Sequence, residues 1–228
     1  IGTMALVLRI TRGEFAVTPV KITIPEGSTV RDIATILGKN MPHFAVQDFL
    51  AQAEHHEGYL FPDTYFFSPL EKPEAIIARL RGSFDRAFAP YTVALTAKQR
   101  TVGDIIIMAS IIEREAKADS DRPIVAGILW KRFDLGIPLQ VDAPFYYTLR
   151  KTSRELTQDD LRTDTPYNTY ARKGLPATPI SNPGLEAITA ALFPEESPYL
   201  YYLSDKNGEL HYAKDLEGHK KNREKYLN

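Results

Sequence analysis

Ile105-Ile106-Ile107-Met108-Ala109-Ser110-Ile111-Ile112-Glu113 is the most apolar stretch of the chain, and it ends on an acid. A helix that is apolar nearly all round has no face to offer water, so this stretch predicts a buried central helix on which the other elements pack. Thr101 and Asp104 have the spacing of a capping box and set its start. A carboxyl group at the far end of such a helix is partly desolvated and holds its proton more tightly than in water, which is what a general acid needs. The ordinary alternative is an ion pair of Glu113 with Lys117, four residues on. Glu115 competes for any catalytic role. At ~100° per residue the two acids fall on opposite flanks of the apolar stripe, with Arg114 pointing away from it, so periodicity does not choose between them.

Outward from this helix the pattern alternates between helices and short strands. Residues 5–14 read as the end of a helix closing at Gly13. Residues 16–24 alternate as a strand, and Pro25-Glu26-Gly27 turns it. Ser28 or Thr29 caps a helix through Val30, Ile33, Ala34, Ile36 and Leu37. Further helices are predicted over 44–53, 73–89, 121–134 (closing near Gly136) and 184–192, and at the C-terminus. Residues 58–67 are dense in aromatics and broken by Pro62. Asn207-Gly208 between a strand at 199–203 and a return strand at 210–213 is a hairpin signal. The fold class is therefore α+β. A small module with its linker over residues 5–53 precedes a mixed helical domain with small sheets over residues 54–228.

The 28 basic and 29 acidic residues nearly cancel, so there is no basic footprint for nucleic acid. The absence of cysteine excludes disulfides and thiolate metal sites. His55 and His56 are adjacent and lack the i, i+4 spacing of a zinc helix, and His43, His211 and His219 have no ligand pattern near them. No Gly-x-Ser-x-Gly elbow and no phosphate loop occur. No cofactor and no metal are expected. No stretch has the ~20 apolar residues of a membrane span. The opening Ile1-Gly2-Thr3-Met4 looks like a cloning remnant, so a natural N-terminal anchor is expected to have preceded it.

Three later segments have the composition of a polar ligand groove: residues 137–142, 165–170 and 175–184. In the first, Gln140 and Asp142 alternate with apolar neighbours and face one side of an extended chain. Amides and hydroxyls on proline-stiffened loops suit a sugar polymer, and aromatic faces stack on pyranose rings. Nine of the 12 tyrosines follow residue 145, which biases the groove toward that half. Its expected contacts are Gln140, Asp142, Tyr147, Asn168, Tyr170 and Asn182.

Taken in order, Glu57-Gly58-Tyr59-Leu60-Phe61-Pro62-Asp63-Thr64-Tyr65, Ala109-Ser110-Ile111-Ile112-Glu113-Arg114-Glu115, Val125-Ala126-Gly127, Pro138-Leu139-Gln140-Val141-Asp142, Tyr167-Asn168-Thr169-Tyr170, Gly174-Leu175-Pro176 and Ile180-Ser181-Asn182-Pro183-Gly184 closely resemble the MltG/YceG-like endolytic murein transglycosylases. The resemblance implies an envelope enzyme, anchored in the inner membrane by an N-terminal helix, with a LysM-like module whose last part is Val20 to Leu37. It implies cleavage of the β-1,4 bond between N-acetylmuramic acid and N-acetylglucosamine in nascent peptidoglycan, leaving 1,6-anhydro ends. It further implies partnership with peptidoglycan polymerases and transpeptidases. The family's catalytic acid is the first of its motif, which falls on Glu113. Val141, Ala143-Pro144, Phe145-Tyr146-Tyr147 and Ala177-Thr178 depart from the usual pattern and alter the expected sugar contacts. A hydrolytic muramidase using Asp142 to activate water and a non-catalytic glycan-binding protein are the alternatives.

Overall fold

The computed structural model describes residues 18–96 and 100–227, so the helix expected over 5–14 and the start of the first strand lie outside the described residues. The architecture is mixed helical with two small antiparallel sheets. β1 (Val20–Thr23) pairs with β2 (Thr64–Phe67), with Val20 opposite Phe67 and Thr23 opposite Thr64. Between them run α1 (Val30–Asn40) and α2 (Val46–Ala53). Thr29, rather than Ser28, caps α1: its hydroxyl accepts from the Asp32 N–H while the Asp32 carboxylate accepts from the Thr29 N–H. Of the predicted α1 face, Val30, Ile33, Ala34 and Leu37 are buried and Ile36 is partly buried.

The first apolar core does not stop at residue 53. Ile22, Ile33, Leu37 and Phe49 pack with Leu60, Phe67, Ile76 and Leu80. The second core begins at Phe84 and Phe88. All four of Ile76, Leu80, Phe84 and Phe88 lie on α3 (Pro73–Phe88), so this one helix, about 24 Å long at ~1.5 Å per residue, serves both cores. β2 was not anticipated. Its Thr64-Tyr65-Phe66-Phe67 is short and follows Pro62, and only its partner β1, some forty residues earlier, makes it a strand.

α4 (Thr92–Thr96) is a short helix after α3. α5 (Val102–Glu115) is the predicted central helix, started by the Thr101/Asp104 capping box. Ile105, Ile106, Met108, Ala109, Ser110, Ile111 and Ile112 are all fully buried. Burying each isoleucine contributes about 1.5–3 kcal/mol against the cost of ordering it. α6 (Arg122–Asp134) and α9 (Leu185–Leu192) close over α5. Gly127, on α6, lets the segment after α9 come close, because a Cβ there would sit 2.0 Å from the Glu195 carbonyl oxygen. Ser110 is the polar break in the apolar run. Its hydroxyl donates to the Ile107 carbonyl and accepts the Ile180 N–H at 3.0 Å, so it ties the 180–184 loop to the helix.

Residues 143–149, read in the sequence among Gly- and Pro-rich turns, form α7 (Ala143–Leu149). Pro144 lies in its first turn, where a missing N–H costs nothing. α8 (Gln158–Arg162) is a second short helix of that region. The expected hairpin is present as β3 (Tyr201–Ser204) and β4 (Leu210–Ala213), starting two residues later than predicted, with α10 (Leu216–Tyr226) packed on both strands. No helix among the described residues is long and apolar enough to cross a membrane.

Candidate active site

The last turn of α5 carries two acids into two different surroundings. Glu113 is clasped. One oxygen accepts from the Arg122 guanidinium at 3.0 Å and the other from the Gly184 N–H, at the start of α9, at 2.9 Å. Its side chain is only 6% exposed. Arg122, and not Lys117, is its partner, and the same guanidinium also meets Asp119 at 3.2 Å and Glu26 at 3.9 Å. Burial raises the Glu113 pKa, and Glu186 and Asp119 add to this, while Gly184 and Arg122 oppose it. The turn from β1 into α1 presses against this acid. Gly27, at φ +71, brings backbone so near that a Cβ would lie 3.4 Å from the Glu113 Cγ.

Among the described residues no cation is within ion-pair distance of Glu115, although Arg114 acts on it electrostatically. It accepts from the Tyr202 hydroxyl at 3.0 Å and from the Ala143 N–H. Burial is the main force pushing its pKa up, to about 7, and the Asp142 carboxylate pushes the same way. Asp142 in turn accepts from the Tyr170 hydroxyl at 2.6 Å. Beneath these groups lies Arg132, 4% exposed, which donates to the carbonyls of Pro138 and Leu200 and to the Gln140 side chain at 2.5 Å. Of the residues expected to line a groove, Asp142 and Tyr170 are thus brought beside Glu115 rather than Glu113, and Gln140 is tied to Arg132. The extended reading of residues 137–142 does not hold. Gln140 has φ +55, a left-handed conformation unusual for a non-glycine, so it and Asp142 do not alternate as on a strand.

The other three expected contacts lie elsewhere. Asn168 is 2% exposed, and its side chain is wholly engaged with backbone: its amide N–H groups bond the carbonyls of Asp160, Leu161 and Thr163, and its oxygen accepts from Tyr170 and Ala171. Asn182 is fully buried, donating to the Ser28 carbonyl and to Glu57 and accepting from the Leu60 N–H. Both have the bonding of loop clasps, with no polar atom left over for a ligand. Tyr147 packs its ring 5.6 Å from that of Tyr167 and gives its hydroxyl to Glu57.

Glu57 was quoted in the sequence only as part of a motif, yet it is a third buried acid. It accepts from the Val30 N–H and from Asn182, and burial raises its pKa to about 7. Arg122, Arg132 and Tyr202 were also missed. Nothing local marks them, because each acquires its role from residues brought in by the fold. His211, set aside for want of a ligand pattern, has Asp205 and Glu209 beside it on the hairpin. Asp205 is already bonded to His211 at 3.1 Å and to the backbone of Asn207 and Glu209. A hollow of roughly 930 Å³ between α6 and the 194–197 segment, lined by Arg100, Trp130 and Lys131, contains neither acid of α5.

A carboxyl group whose pKa burial raises to about 7, with tyrosines and a second carboxylate beside it, has the surroundings that general acid–base chemistry requires. The profile of the YceG-like family matches residues 2–225, and the chain belongs to that family. It is 36% identical over 194 residues to an endolytic murein transglycosylase of Bacillus subtilis, covering 84% of this chain and 54% of that protein. It is 29% identical over 245 residues to the protein of that name from Streptococcus pneumoniae serotype 2, covering 91% of this chain and 44% of the relative. The chain thus spans about half the length of these relatives. A crystal structure of a YceG-like protein from Listeria monocytogenes superposes with a TM-score of 0.82 at 33% identity, covering 97% of this chain and 81% of that one.

Proposed function

We propose that this chain is the catalytic part of an endolytic murein transglycosylase, with Glu115 as its proton donor. It would cut the β-1,4 bond between N-acetylmuramic acid and N-acetylglucosamine within peptidoglycan strands and leave 1,6-anhydro ends. The names of its relatives support the reaction class. The placement of Asp142 and Tyr170 beside a carboxyl group whose pKa burial raises to about 7 carries the choice of acid. This departs from the assignment to Glu113. Burial raises the Glu113 pKa as well, but there the guanidinium of Arg122 opposes it, while the charge of Asp142 adds to it at Glu115.

In the proposed reaction protonated Glu115 gives its proton to the glycosidic oxygen as the bond from C1 breaks. The carboxylate then takes the proton of the muramoyl C6 hydroxyl, whose oxygen closes on C1. One residue serves both steps because the nucleophile belongs to the substrate. The Asp142 charge raises the proton affinity of Glu115 before the step and faces the cationic sugar during it. Gln140, Tyr170 and Tyr147 are left as sugar contacts, while Asn168 and Asn182 hold the loops that present them.

On this reading Val20 to Leu37 is the last part of a LysM-like module, and the protein works in the bacterial envelope. It would be anchored at its N-terminus to the inner membrane, beside peptidoglycan synthases. Mass spectrometry of the products from uncrosslinked strands tests the reaction. Anhydro ends are expected; reducing ends would replace the proposal with hydrolysis through Asp142, and intact strands would favour a binding role.

A further inference from the structure

One exposed ring beside the proposed acid gathers two cations. Tyr146, on α7, is 37% exposed. The Arg114 guanidinium stands 4.7 Å from its ring centroid and that of Arg150 5.6 Å. Arg150 is placed there by backbone geometry: it ends α7 at φ +57, with its N–H bonded to the Tyr146 carbonyl. Arg31, on α1, lies close enough to act electrostatically on the neighbouring Tyr147.

Two guanidinium groups sharing one ring repel each other, and a protein normally offsets that with a carboxylate. Arg79, Arg81, Arg100 and Arg172 each have such a partner. Among the described residues Arg114 and Arg150 have no carboxylate within ion-pair distance, and the one side-chain hydrogen bond of Arg114 is a long one, 3.4 Å, to the Gly27 carbonyl. The ring holds the two cations in place while their N–H forks stay open, an arrangement suited to a carboxylate from outside. Its position is specific. Arg114 precedes Glu115 in the chain, and Tyr146 is one helical turn from the Ala143 N–H that bonds Glu115.

We infer that Tyr146, Arg114 and Arg150 form a carboxylate-binding subsite that reads the peptide stem carried by the reacting sugar. The inference rests on the transglycosylase reading. There, the muramoyl residue whose C1 is attacked bears a lactoyl ether on C3 of the same ring, so every cut brings a stem with free carboxylates beside the acid. The subsite makes strands with stems better substrates than strands stripped of them.

Equilibrium binding separates this from the reaction itself. The probes are the disaccharide N-acetylglucosaminyl-N-acetylmuramic acid with its tetrapeptide, the same compound with its peptide carboxylates amidated, and the disaccharide without peptide, its lactoyl carboxyl capped as a methylamide. None contains the bond to be cut. The stem-bearing probe is expected to bind about tenfold tighter than the other two, roughly the contribution of one good charged contact. That advantage disappears in Arg114→Ala/Arg150→Ala and is partly kept in Arg114→Lys/Arg150→Lys. Equal affinity for all three probes, or an advantage that survives the double alanine change, would overturn the subsite. So would equal weakening of every probe, which would make the arginines a structural staple, or arginine-dependent binding to phosphatidylglycerol vesicles without stem preference. A chain that makes anhydro ends without stem preference loses only the subsite. Stem preference without bond cleavage loses only the reaction.

Discussion

Glu113 and Glu115 leave the same helical turn two residues apart, yet one is bonded like a structural clamp and the other like a working acid. Glu113 meets a guanidinium and a backbone N–H, and through them it joins α5, α6, α9 and the turn at Gly27. Glu115 accepts from the Tyr202 hydroxyl, which favours its charged form, but burial and the neighbouring Asp142 carboxylate outweigh that and favour the protonated one. Burial raises both pKa values, so burial alone does not identify a catalytic acid. Their surroundings differ in the charge that bears on them most, the paired guanidinium of Arg122 at Glu113 and the carboxylate of Asp142 at Glu115.

The largest effect expected is on catalysis. Glu115→Gln removes the transferable proton and should lower kcat about 10²–10⁴-fold, the usual contribution of a general acid. A loss below tenfold in a steady-state assay would break the comparison. On the clamp side, Arg122→Ala leaves Glu113 buried beside Glu26, Asp119 and Glu186. It should cost about 3 kcal/mol, as when one partner of a buried pair is removed, read from the urea midpoint. An unchanged midpoint would mean that the pair holds nothing together.

The pH dependence follows from the two acids raised to about 7, Glu57 and Glu115, against an ordinary 4.5. The native state keeps protons that the unfolded chain has released, so their stabilisation is full below about pH 4.5 and is lost as pH rises through about 7. Thermal melts between these limits should fall with pH, less steeply in Glu57→Gln. Activity should fall through the same region as Glu115 ionises. A smaller effect is expected of Ser110→Ala, which strands the buried Ile180 N–H and should cost about 1–3 kcal/mol in the same urea assay. Smallest is Tyr202→Phe. Its hydroxyl lowers the Glu115 pKa, so its removal should move the alkaline limb of the rate profile to higher pH. A shift to lower pH would contradict the bonding described.

The local signals in the chain were readable because they act within a few residues. The Thr29 and Thr101 capping boxes, the apolar run of α5 and the Asn207-Gly208 turn are of this kind. Periodicity does not choose between the two acids, since a helical wheel gives only their angle, and it is the family resemblance that points to Glu113. Their partners are distant: Gly184 lies 71 residues from Glu113 and Tyr202 87 residues from Glu115. The alternation of Gln140 and Asp142 suggested a strand because periodicity carries no information on the sign of φ. Asn168 and Asn182 had the right chemistry for a sugar, but asparagine serves equally well to pair buried backbone. Tyr147 and Glu57 became neighbours only through the packing of α7 against the 54–57 segment.

The most direct test measures rate and melting temperature on the same preparations of Glu113→Gln and Glu115→Gln. The account predicts that Glu115→Gln abolishes formation of anhydro ends while melting as the parent does, and that Glu113→Gln melts lower but still cuts. If Glu113→Gln is folded and inactive while Glu115→Gln still cuts, the roles assigned to the two acids are reversed.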